Sequence, residues 1–401
     1  MAERTPEETL AVQGPAVERV QALVNLAAIE RNCRRLRAGL GDGAELCAVV
    51  KADGYGHGAV PVALAALAGG AGWLAVAGAH ELRELRGAGL QVPILVMAAL
   101  TPVELAETLA ARGDVVVWDE RDVAAVASAG GGRVHVKLDS GMGRLGTRDP
   151  EQASAVAEQA ERAPGVELAG LMTHFATADE LDDGGFFAAQ LRAFVRWAGE
   201  LKADRPGLLL HAANSAATLR EPAAQFDMVR AGIAIYGMDP FGRDPAERAL
   251  EPALELRSYV ADVKPCRAGE SAGYGRRFIA EQDTVIGVLP VGYGDGWRRG
   301  LSNNCDVLIG GARRPLVGTI SMDSVTVDLG PDAGEQLLGE PAVLIGLQGS
   351  ERITAEEIAR RLNTINYEIT CGLTPRATRV YHRDGLPAEQ DAAGATLPGT
   401  A

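Results

Sequence analysis

One lysine, Lys51, stands between an apolar run and a glycine-rich turn in the segment VVKADGYGHG, at positions 49–58. A lysine amine held at the end of a strand can form a Schiff base with an aldehyde. The glycines that follow would let the backbone approach a bound ligand closely. The segment therefore suggests covalent catalysis through an amine. An exposed lysine after a buried strand, followed by an ordinary turn, would show the same local pattern. The surrounding elements are therefore needed to distinguish a catalytic lysine from a surface lysine.

Strand-like and helix-like segments alternate regularly from residue 45 to residue 237. The strand segments span 45–51, 73–78, 93–97, 114–119, 133–139, 168–175, 208–214 and 228–237. They are rich in Val, Leu and Ile without polar alternation, which is typical of parallel strands buried on both faces. Helical patterns occupy the intervals between them. Eight such units favour an α/β fold of the β/α (TIM-like) barrel type over an open doubly wound sheet.

A different pattern begins near residue 256, where short strands are separated by glycine turns. Its strand segments span 283–291, 305–310, 316–328 and 342–347, and a capping box at 354–357 predicts one helix. We expect a mainly β second domain, with the boundary in the Pro- and acid-rich segment 239–252. The predicted limits are 15–248 for the barrel and 249–390 for the β domain, with disordered termini at 1–14 and 391–401. The strand-like segment 20–26 is a candidate to pair with the second domain.

The composition narrows the class of protein. A chain of 401 residues with 47% hydrophobic and 23% charged residues can bury two cores. Its net charge of -14 argues against nucleic acids and anionic membranes as partners. The uncharged stretch 58–79 is interrupted by glycines and predicts a short buried helix and a strand rather than a membrane span. Five scattered cysteines form neither a metal nor a disulfide pattern, and no secretion leader begins the chain, so a cytoplasmic protein without a metal site is expected.

Polar side chains cluster where the predicted barrel strands end, and barrel enzymes carry their chemistry at that face. These residues are Lys51, Lys137, Asp139, His174, Asn214, Ser215 and Arg230. Each alone has an ordinary structural explanation, and their joint placement favours an active site. The loops after the seventh and eighth strands are the usual phosphate-binding positions, so Ser215 is the candidate phosphate hydroxyl. A helix N-cap without a ligand is the alternative for Ser215.

Nine segments, in order along residues 20–379, resemble those of the alanine racemases, which are pyridoxal 5'-phosphate enzymes. Besides the Lys51 segment they are VKLDSGMGRLG (136–146), MTHFATAD (172–179), HAANS (211–215), MVRAGIAIYG (228–237), AGYG (272–275), VGYGDGW (291–297), SMD (321–323) and TINYE (364–368). The resemblance implies a barrel that binds the cofactor and a second domain that completes the site.

The resemblance also implies a role for each matching residue. Lys51 would bind the cofactor and act as one base, and Tyr274, from the partner subunit of a homodimer, would be the opposing base. The cofactor-binding residues would be Lys51, Tyr55, Arg144, His174, Asn214, Ser215, Arg230, Gly232, Ile233 and Tyr367, with Arg230 facing the pyridine nitrogen. Arg144, Met322 and Tyr293 would contact the substrate. Lys137, at a position often carbamylated in the family, would support these residues together with His211 and Asp323.

The resemblance thus implies a homodimeric isomerase that interconverts L- and D-alanine and supplies D-alanine for peptidoglycan. Two departures from the family pattern, Thr319 in place of a basic residue and Ser324 in place of a larger amide, lie near the expected substrate entrance. A serine or broad-specificity amino-acid racemase on the same scaffold is therefore the alternative. A non-catalytic pyridoxal-phosphate carrier is disfavoured, because a carrier needs no second base.

Overall fold

The computed structural model describes residues 18–388, which form two units. One unit comprises Val24–Leu254, Thr364–Cys371 and the residues from Tyr381 onward; the other comprises Glu255–Asn363, Gly372–Val380 and the residues before Val24. The chain thus returns to the first unit near its end. The termini expected to be disordered, 1–14 and 391–401, lie outside the described residues. The domain limits proposed from the sequence stay predictions.

The first unit is built on eight parallel strands. After strand β1 (Gln21–Asn25), these are β2 (Glu45–Val49), β3 (Trp73–Val76), β4 (Ile94–Val96), β5 (Asp114–Val117), β6 (Gly132–Lys137), β7 (Val166–Met172), β8 (Leu209–His211) and β9 (Met228–Ala231). They pair in the order β8-β7-β6-β5-β4-β3-β2-β9. Backbone hydrogen bonds from Asp227 to Leu210 (3.0 Å) and from Arg230 to Ala213 (2.9 Å) link the two end strands. The sheet therefore curls into a nearly closed barrel.

The helical segments of the described residues are α1 (Leu26–Ala38), the left-handed turn α2 (Lys51–Gly56), α3 (Ala59–Ala68), α4 (Ala79–Gly87), α5 (Pro102–Ala110), α6 (Glu120–Ser128), α7 (Pro150–Arg162), α8 (Phe186–Ala203), α9 (Ser215–Arg220), α10 (Ala355–Arg361) and α11 (Asn366–Cys371). Helices α3 to α9 follow the barrel strands as the alternation predicted. Short 3-10 helices occupy Pro222–Ala224, Ile233–Tyr236, Pro245–Arg248, Tyr274–Arg276, Tyr293–Asp295, Arg299–Leu301 and Glu335–Leu337. The uncharged stretch 58–79 forms α3 and β3, as expected.

Helix α1 was missed in the sequence. Its apolar face consists of Leu26, Ile29, Cys33 and Leu36, all buried, which is helical spacing. The strand-like appearance of the residues before it hid its start. Asn25 ends β1 and caps α1 by accepting a hydrogen bond from the Ala27 N–H (3.1 Å).

The second unit is mainly β. The strands after the barrel are β10 (Leu254–Tyr259), β11 (Asp262–Cys266), β12 (Ser271–Ala272), β13 (Phe278–Ile279), β14 (Thr284–Leu289), β15 (Asp306–Ile309), β16 (Ala312–Val317), β17 (Val325–Asp328), β18 (Pro341–Gln348), β19 (Glu351–Ile353), β20 (Thr378–Arg383) and β21 (Leu386–Pro387). All lie mainly in the second unit except β21 and the second half of β20, which belong to the first. The large sheet has the order β11-β14-β17-β16-β15-β18-β10-β1-β20-β21. The pairing of β1 with this sheet and the predicted fold class, a barrel followed by a mainly β domain, are confirmed.

In the second unit one local prediction was wrong, and the helix predicted from the capping box is confirmed as α10. The single strand expected at 316–328 is two strands, because the chain turns at Gly318, where φ is +78°. The capping box of α10 is half formed. The Thr354 hydroxyl accepts from the Glu357 N–H (3.2 Å), but the Glu357 carboxylate pairs with Arg313 (2.9 Å) and does not reach back to cap the helix.

No helix among residues 18–388 has both the length and the apolar character needed to cross a membrane. All five cysteines are free thiols; four are buried, and Cys371 is exposed.

Candidate active site

A cavity of about 480 Å³ opens at the carboxyl ends of the barrel strands. It is lined by Val49, Lys51, Ala52, Tyr55, Ala77, Met97, Ala98, Lys137, Arg144, Leu145, Met172, His174, Asn214, Ser215, Arg230, Gly232, Ile233, Tyr367 and Cys371. The structure thus brings together every cofactor-binding residue that the sequence proposed, including Tyr367, which arrives on α11. Asp139 and His211 lie behind this lining.

The charged side chains that line the cavity are all basic. Four basic side chains, Lys51, Lys137, Arg144 and Arg230, line it, and among the described residues no Asp or Glu does. Like charges in a partly buried space repel, so the cavity favours a ligand with several negative charges.

The expectation that Lys51 ends a strand was wrong by two residues. Strand β2 stops at Val49, and Lys51 opens a left-handed turn in which Ala52, Asp53, Gly54 and Tyr55 have φ between 52° and 57°. Hydrophobic spacing carries no information about the sign of φ, so the sequence pattern could not show this turn.

Glu81 holds the start of this turn. Its buried carboxylate accepts hydrogen bonds from the N–H groups of Ala52 (2.7 Å) and Ala77 (2.6 Å), which ties the residue after Lys51 to the end of β3. Three left-handed non-glycine residues are costly in isolation, so such anchoring contacts must stabilise them.

The amine of Lys51 is prepared for nucleophilic chemistry. Burial, followed by the charge of Arg144, lowers the pKa of Lys51 below its ordinary value, and the carboxylate of Glu81 opposes this only in part. A larger neutral fraction of the amine is then present near pH 7, and the neutral form is the one that attacks an aldehyde.

Ser215, Gly232 and Tyr55 form a close-packed corner of the cavity. The Ser215 hydroxyl oxygen accepts from the N–H groups of Gly232 (2.9 Å) and Ala234 (3.3 Å), which leaves its own proton to donate. A Cβ on Gly232 would overlap the Tyr55 hydroxyl, so a glycine is required there. Both Ser215 and Ile233 begin helices, where the first N–H groups have no partner within the helix. Donors therefore dominate this corner.

The tyrosines beside this corner are phenol donors. The ring of Tyr55 lies 4.9 Å from that of Tyr236 and 5.9 Å from that of Tyr367. Burial raises the pKa of Tyr55 and of Tyr367 well above the ordinary phenol value, so both keep their protons.

Arg230 is a buried lining residue of the cavity and is held by several acceptors. It donates to the carbonyls of Thr173 (2.8 Å) and Ala212 (3.0 Å), to His211 Nδ1 (2.7 Å) and more distantly to His174 Nδ1 (3.3 Å). Burial lowers the pKa of Arg230 to about 10, so it stays charged at neutral pH. Burial and the Arg230 charge lower the pKa of both histidines well below the usual value, so they are neutral acceptors.

Asp139 shapes the loop that carries Arg144. Its carboxylate accepts from the N–H groups of Gly141 (3.1 Å) and Gly143 (3.0 Å). Burial alone would raise the pKa of Asp139, but these N–H groups outweigh it and the pKa falls below its usual value. Nearby, burial and then the charge of Arg230 lower the pKa of Lys137 to about 8.

The remaining predicted site residues lie in the second unit. Tyr274 stands on the 3-10 helix Tyr274–Arg276 with 72% of its surface exposed, and the Thr319 hydroxyl donates to its carbonyl (2.7 Å). The side chains of Tyr293 and Met322 are exposed. Their backbones are close together, since the N–H of Gly294, the residue after Tyr293, donates to the Met322 carbonyl (2.9 Å). The Asp323 carboxylate pairs with Arg376.

Several residues around the cavity were missed in the sequence. Glu81 and Cys371 had no recognisable motif. His135 could have been found, because it lies two positions before Lys137 on one strand and residues two apart share a face. Asp114 had a weaker signal, as a lone acid opening the apolar strand DVVV.

Comparisons with known proteins agree with this geometry. Residues 24–240 match the family model "Alanine racemase, N-terminal domain", and residues 253–381 match "Alanine racemase, C-terminal domain". Alanine racemase 1 of Bacillus subtilis is 41% identical over 91% of this chain and 93% of its own length, and alanine racemase of Geobacillus stearothermophilus is 40% identical over 90% and 93%.

Solved structures give the same result. The alanine racemase of Bacillus anthracis with bound L-Ala-P superposes with a TM-score of 0.85 and 35% identity, covering 94% of this chain and 98% of that one. Alanine racemase from Streptomyces coelicolor A3(2) gives 0.84 and 39%, covering 90% and 98%. The resemblance inferred from the nine sequence segments is thereby confirmed.

Replacing Gly56 by alanine tests the packing of the lysine turn. A Cβ there would overlap the Thr370 carbonyl oxygen, whereas Gly43, with φ of 82° against 81° at Gly56, has nothing within 4 Å. Both Gly→Ala variants carry the same left-handed strain. We expect Gly56→Ala to lower the free energy of unfolding by about 1–3 kcal/mol more than Gly43→Ala, measured by urea denaturation. Equal losses would contradict the close approach of α11 to the turn.

Replacing Lys137 by methionine tests the cost of a buried charge. Each pKa unit is worth about 1.4 kcal/mol, so lowering the pKa from 10.5 to about 8 costs the folded state on the order of 3 kcal/mol below pH 8. From pH 8 to 10.5 the unfolded chain holds the proton and the folded chain does not, so wild-type stability rises with pH in that window.

The methionine variant should therefore be more stable than wild type at neutral pH, with an advantage that shrinks between pH 8 and 10.5. Denaturation in carbon dioxide-free buffer across this range measures it. The exposed Lys264→Met is the control and should show a small difference with little pH dependence. A constant or growing advantage of Lys137→Met would contradict the lowered pKa.

Proposed function

The chain belongs to the alanine racemase family, and on that basis we propose that it interconverts L- and D-alanine with pyridoxal 5'-phosphate as its bound cofactor. The observation that carries the proposal is the cavity at the strand ends, with four basic side chains and no carboxylate among its described lining residues. A phosphorylated cofactor together with an amino-acid carboxylate would balance that charge.

The residues present fit this cofactor. The donor-rich corner of Tyr55, Ser215, Gly232 and Ile233, with Tyr367 beside it, suits a phosphate group. The oxygens of an ionised phosphate accept hydrogen bonds and donate none. Asn214 accepts from the Ala217 N–H (3.0 Å) and so fixes the start of α9. When bound, pyridoxal phosphate supplies an aldehyde that condenses with an amine and a ring that withdraws electrons from the α-carbon.

Lys51 would hold the cofactor through its amine and move the α-proton on one face of the substrate. Its lowered pKa supports both roles, because each needs the neutral amine. Arg144, exposed on the loop that Asp139 organises, would bind the substrate carboxylate. Met322 and Tyr293 would also contact the substrate, as the family resemblance implies.

Arg230 would face the ring nitrogen and leave that nitrogen without a proton. A guanidinium donates hydrogen bonds but keeps its protons, and Arg230 remains charged with a pKa of about 10. An unprotonated ring draws electrons less strongly, which favours return of the proton to the α-carbon over side reactions such as transamination.

The second base would be the partner subunit's Tyr274, in a homodimer with two composite sites. Racemisation needs proton transfer on both faces of the α-carbon, and one lysine serves only one face. The exposure of Tyr274 and the support of its backbone by Thr319 are compatible with a residue presented to another chain. A cytoplasmic location and the supply of D-alanine for peptidoglycan follow from this activity as further parts of the proposal.

Substrate breadth separates the proposed enzyme from a serine or broad-specificity racemase. The substrate pocket of an alanine racemase should favour a methyl side chain, since fixed walls penalise larger groups by a few kcal/mol. We expect kcat/KM for lysine and arginine to fall at least about a hundredfold below that for alanine. Serine should be an intermediate substrate. Equal racemisation of alanine and lysine by the cofactor-loaded protein would contradict the alanine assignment.

Mixing two inactive variants tests the shared site. Lys51→Ala and Tyr274→Phe should each be nearly inactive, because each removes one base from both sites of a dimer. Co-expression with random pairing makes half of the dimers mixed, and each mixed dimer has one intact site of two. Activity of roughly a quarter of wild type is expected.

The control for subunit mixing is a pair of different affinity tags, which identifies the mixed dimers directly. Activity no higher than that of the separate variants, in preparations with proven mixing, would show that both bases come from one chain or that Tyr274 is not a base.

A further inference from the structure

A row of buried hydrogen-bonding groups runs away from the cavity through the barrel interior behind Arg230. Arg230 Nη1 lies 2.7 Å from His211 Nδ1, and His211 Nε2 lies 2.8 Å from His135 Nδ1. His135 Nε2 lies 3.2 Å from Asp114 Oδ2. All four side chains are at most 4% exposed.

The two ends of the row dictate where its protons lie. A guanidinium only donates, so His211 Nδ1 must carry a lone pair and His211 Nε2 must carry the proton. That proton is donated to His135 Nδ1, which leaves the His135 proton on Nε2, facing Asp114. A carboxylate only accepts, so the far end requires the same arrangement. Both histidines are therefore neutral, with their protons pointing toward Asp114.

The fold makes room for His135 specifically. A Cβ on Gly170, in the neighbouring strand β7, would lie 2.5 Å from His135 Nδ1 and 2.7 Å from the Leu209 carbonyl oxygen, so only glycine fits. The pairing of β6 with β7 shifts register between Val134 and His135, which marks a local irregularity at this side chain. The Trp73 ring stands edge-on to His135 at 5.9 Å. These features hold the imidazole in one orientation.

We propose that His135 and Asp114 are positioning residues that hold Arg230 in its working orientation. The proposal rests on the proposed function, in which Arg230 faces the cofactor ring. Without the Asp114 carboxylate, the His135 proton can move to Nδ1, where it meets the His211 Nε2 proton. The rings must then turn apart, and Arg230 loses an acceptor that fixes one side of its guanidinium.

The proton positions are tested first, on wild-type protein labelled with ¹⁵N-histidine. The nitrogen chemical shifts of His135 and His211, assigned with single His→Gln variants, should report neutral rings protonated on Nε2 from about pH 6 to 9. A proton on Nδ1 of either ring, or a charged ring in this range, overturns the proposal. This test needs neither cofactor nor activity.

Three variants then test the effect on Arg230 in cofactor-loaded protein. Asp114→Leu removes the acceptor, and Asp114→Asn keeps one oxygen that can accept from His135. Glu167→Leu is the matched control, because Glu167 is exposed and pairs with the same arginine, Arg133, that flanks Asp114, yet it does not touch the histidines.

Asp114→Leu should lower kcat for alanine racemisation at least about tenfold, with KM within about threefold and a larger share of transamination. Asp114→Asn should recover kcat to within about threefold of wild type and keep the wild-type nitrogen shifts, and Glu167→Leu should match wild type.

The positioning role is overturned if Asp114→Leu leaves kcat and the share of transamination unchanged. It is also overturned if Asp114→Asn loses as much kcat as Asp114→Leu while its histidine nitrogen shifts stay those of wild type. If Asp114→Leu does not fold, the histidine nitrogen shifts of wild type and the kcat of Asp114→Asn still test the positioning role. A cofactor-loaded wild-type protein that does not racemise alanine would overturn the proposed function instead, and the histidine shifts would remain a separate test of the row.

Discussion

Repulsion between basic side chains around one cavity is the constraint on which this site depends. Lys51, Lys137, Arg144 and Arg230 all line it, and burial with mutual repulsion lowers the pKa of both lysines. This repulsion destabilises the protein without a ligand. As a result an anionic ligand is favoured, and a neutral lysine amine is available near pH 7. Burial, together with the same charges, lowers the pKa of His174 and keeps it neutral.

The scaffold keeps its acids behind the site, where each has a structural task. Glu81 accepts N–H groups at the start of the lysine turn, and Asp139 accepts those of the loop that carries Arg144. Asp114 ends the row of histidines behind Arg230. Because these carboxylates hold the basic residues in place without lining the cavity, they position the cations and leave the charge of the cavity for a ligand.

Much of this arrangement was predictable from the sequence, because burial on both faces leaves long apolar runs and the barrel gathers the polar strand ends at one face. Lys51, His174, Ser215 and Arg230 were found in this way. The left-handed turn after Lys51 was not, since the sign of φ leaves no trace in hydrophobic spacing. The return of Tyr367 to the barrel unit came only from family resemblance, because no local pattern reports a contact over such a length of chain.

The contacts of His135 could not be predicted from the sequence either. They join residues 21 and 76 positions apart, and only the three-dimensional ring of strands brings those residues together. Helix α1 was missed for a simpler reason: its start overlaps the strand-like segment before it.

The central claim is that Lys51, among the amines of this cavity, carries the cofactor. Borohydride reduction of the pyridoxal phosphate-loaded protein fixes any bond between cofactor and amine, and peptide mass mapping then locates the pyridoxyl group. The account predicts that group on Lys51 in about one copy per chain, and none on Lys137, the other lysine that lines the cavity. A group found on Lys137, or no fixed group on Lys51 in protein saturated with pyridoxal phosphate, would contradict it.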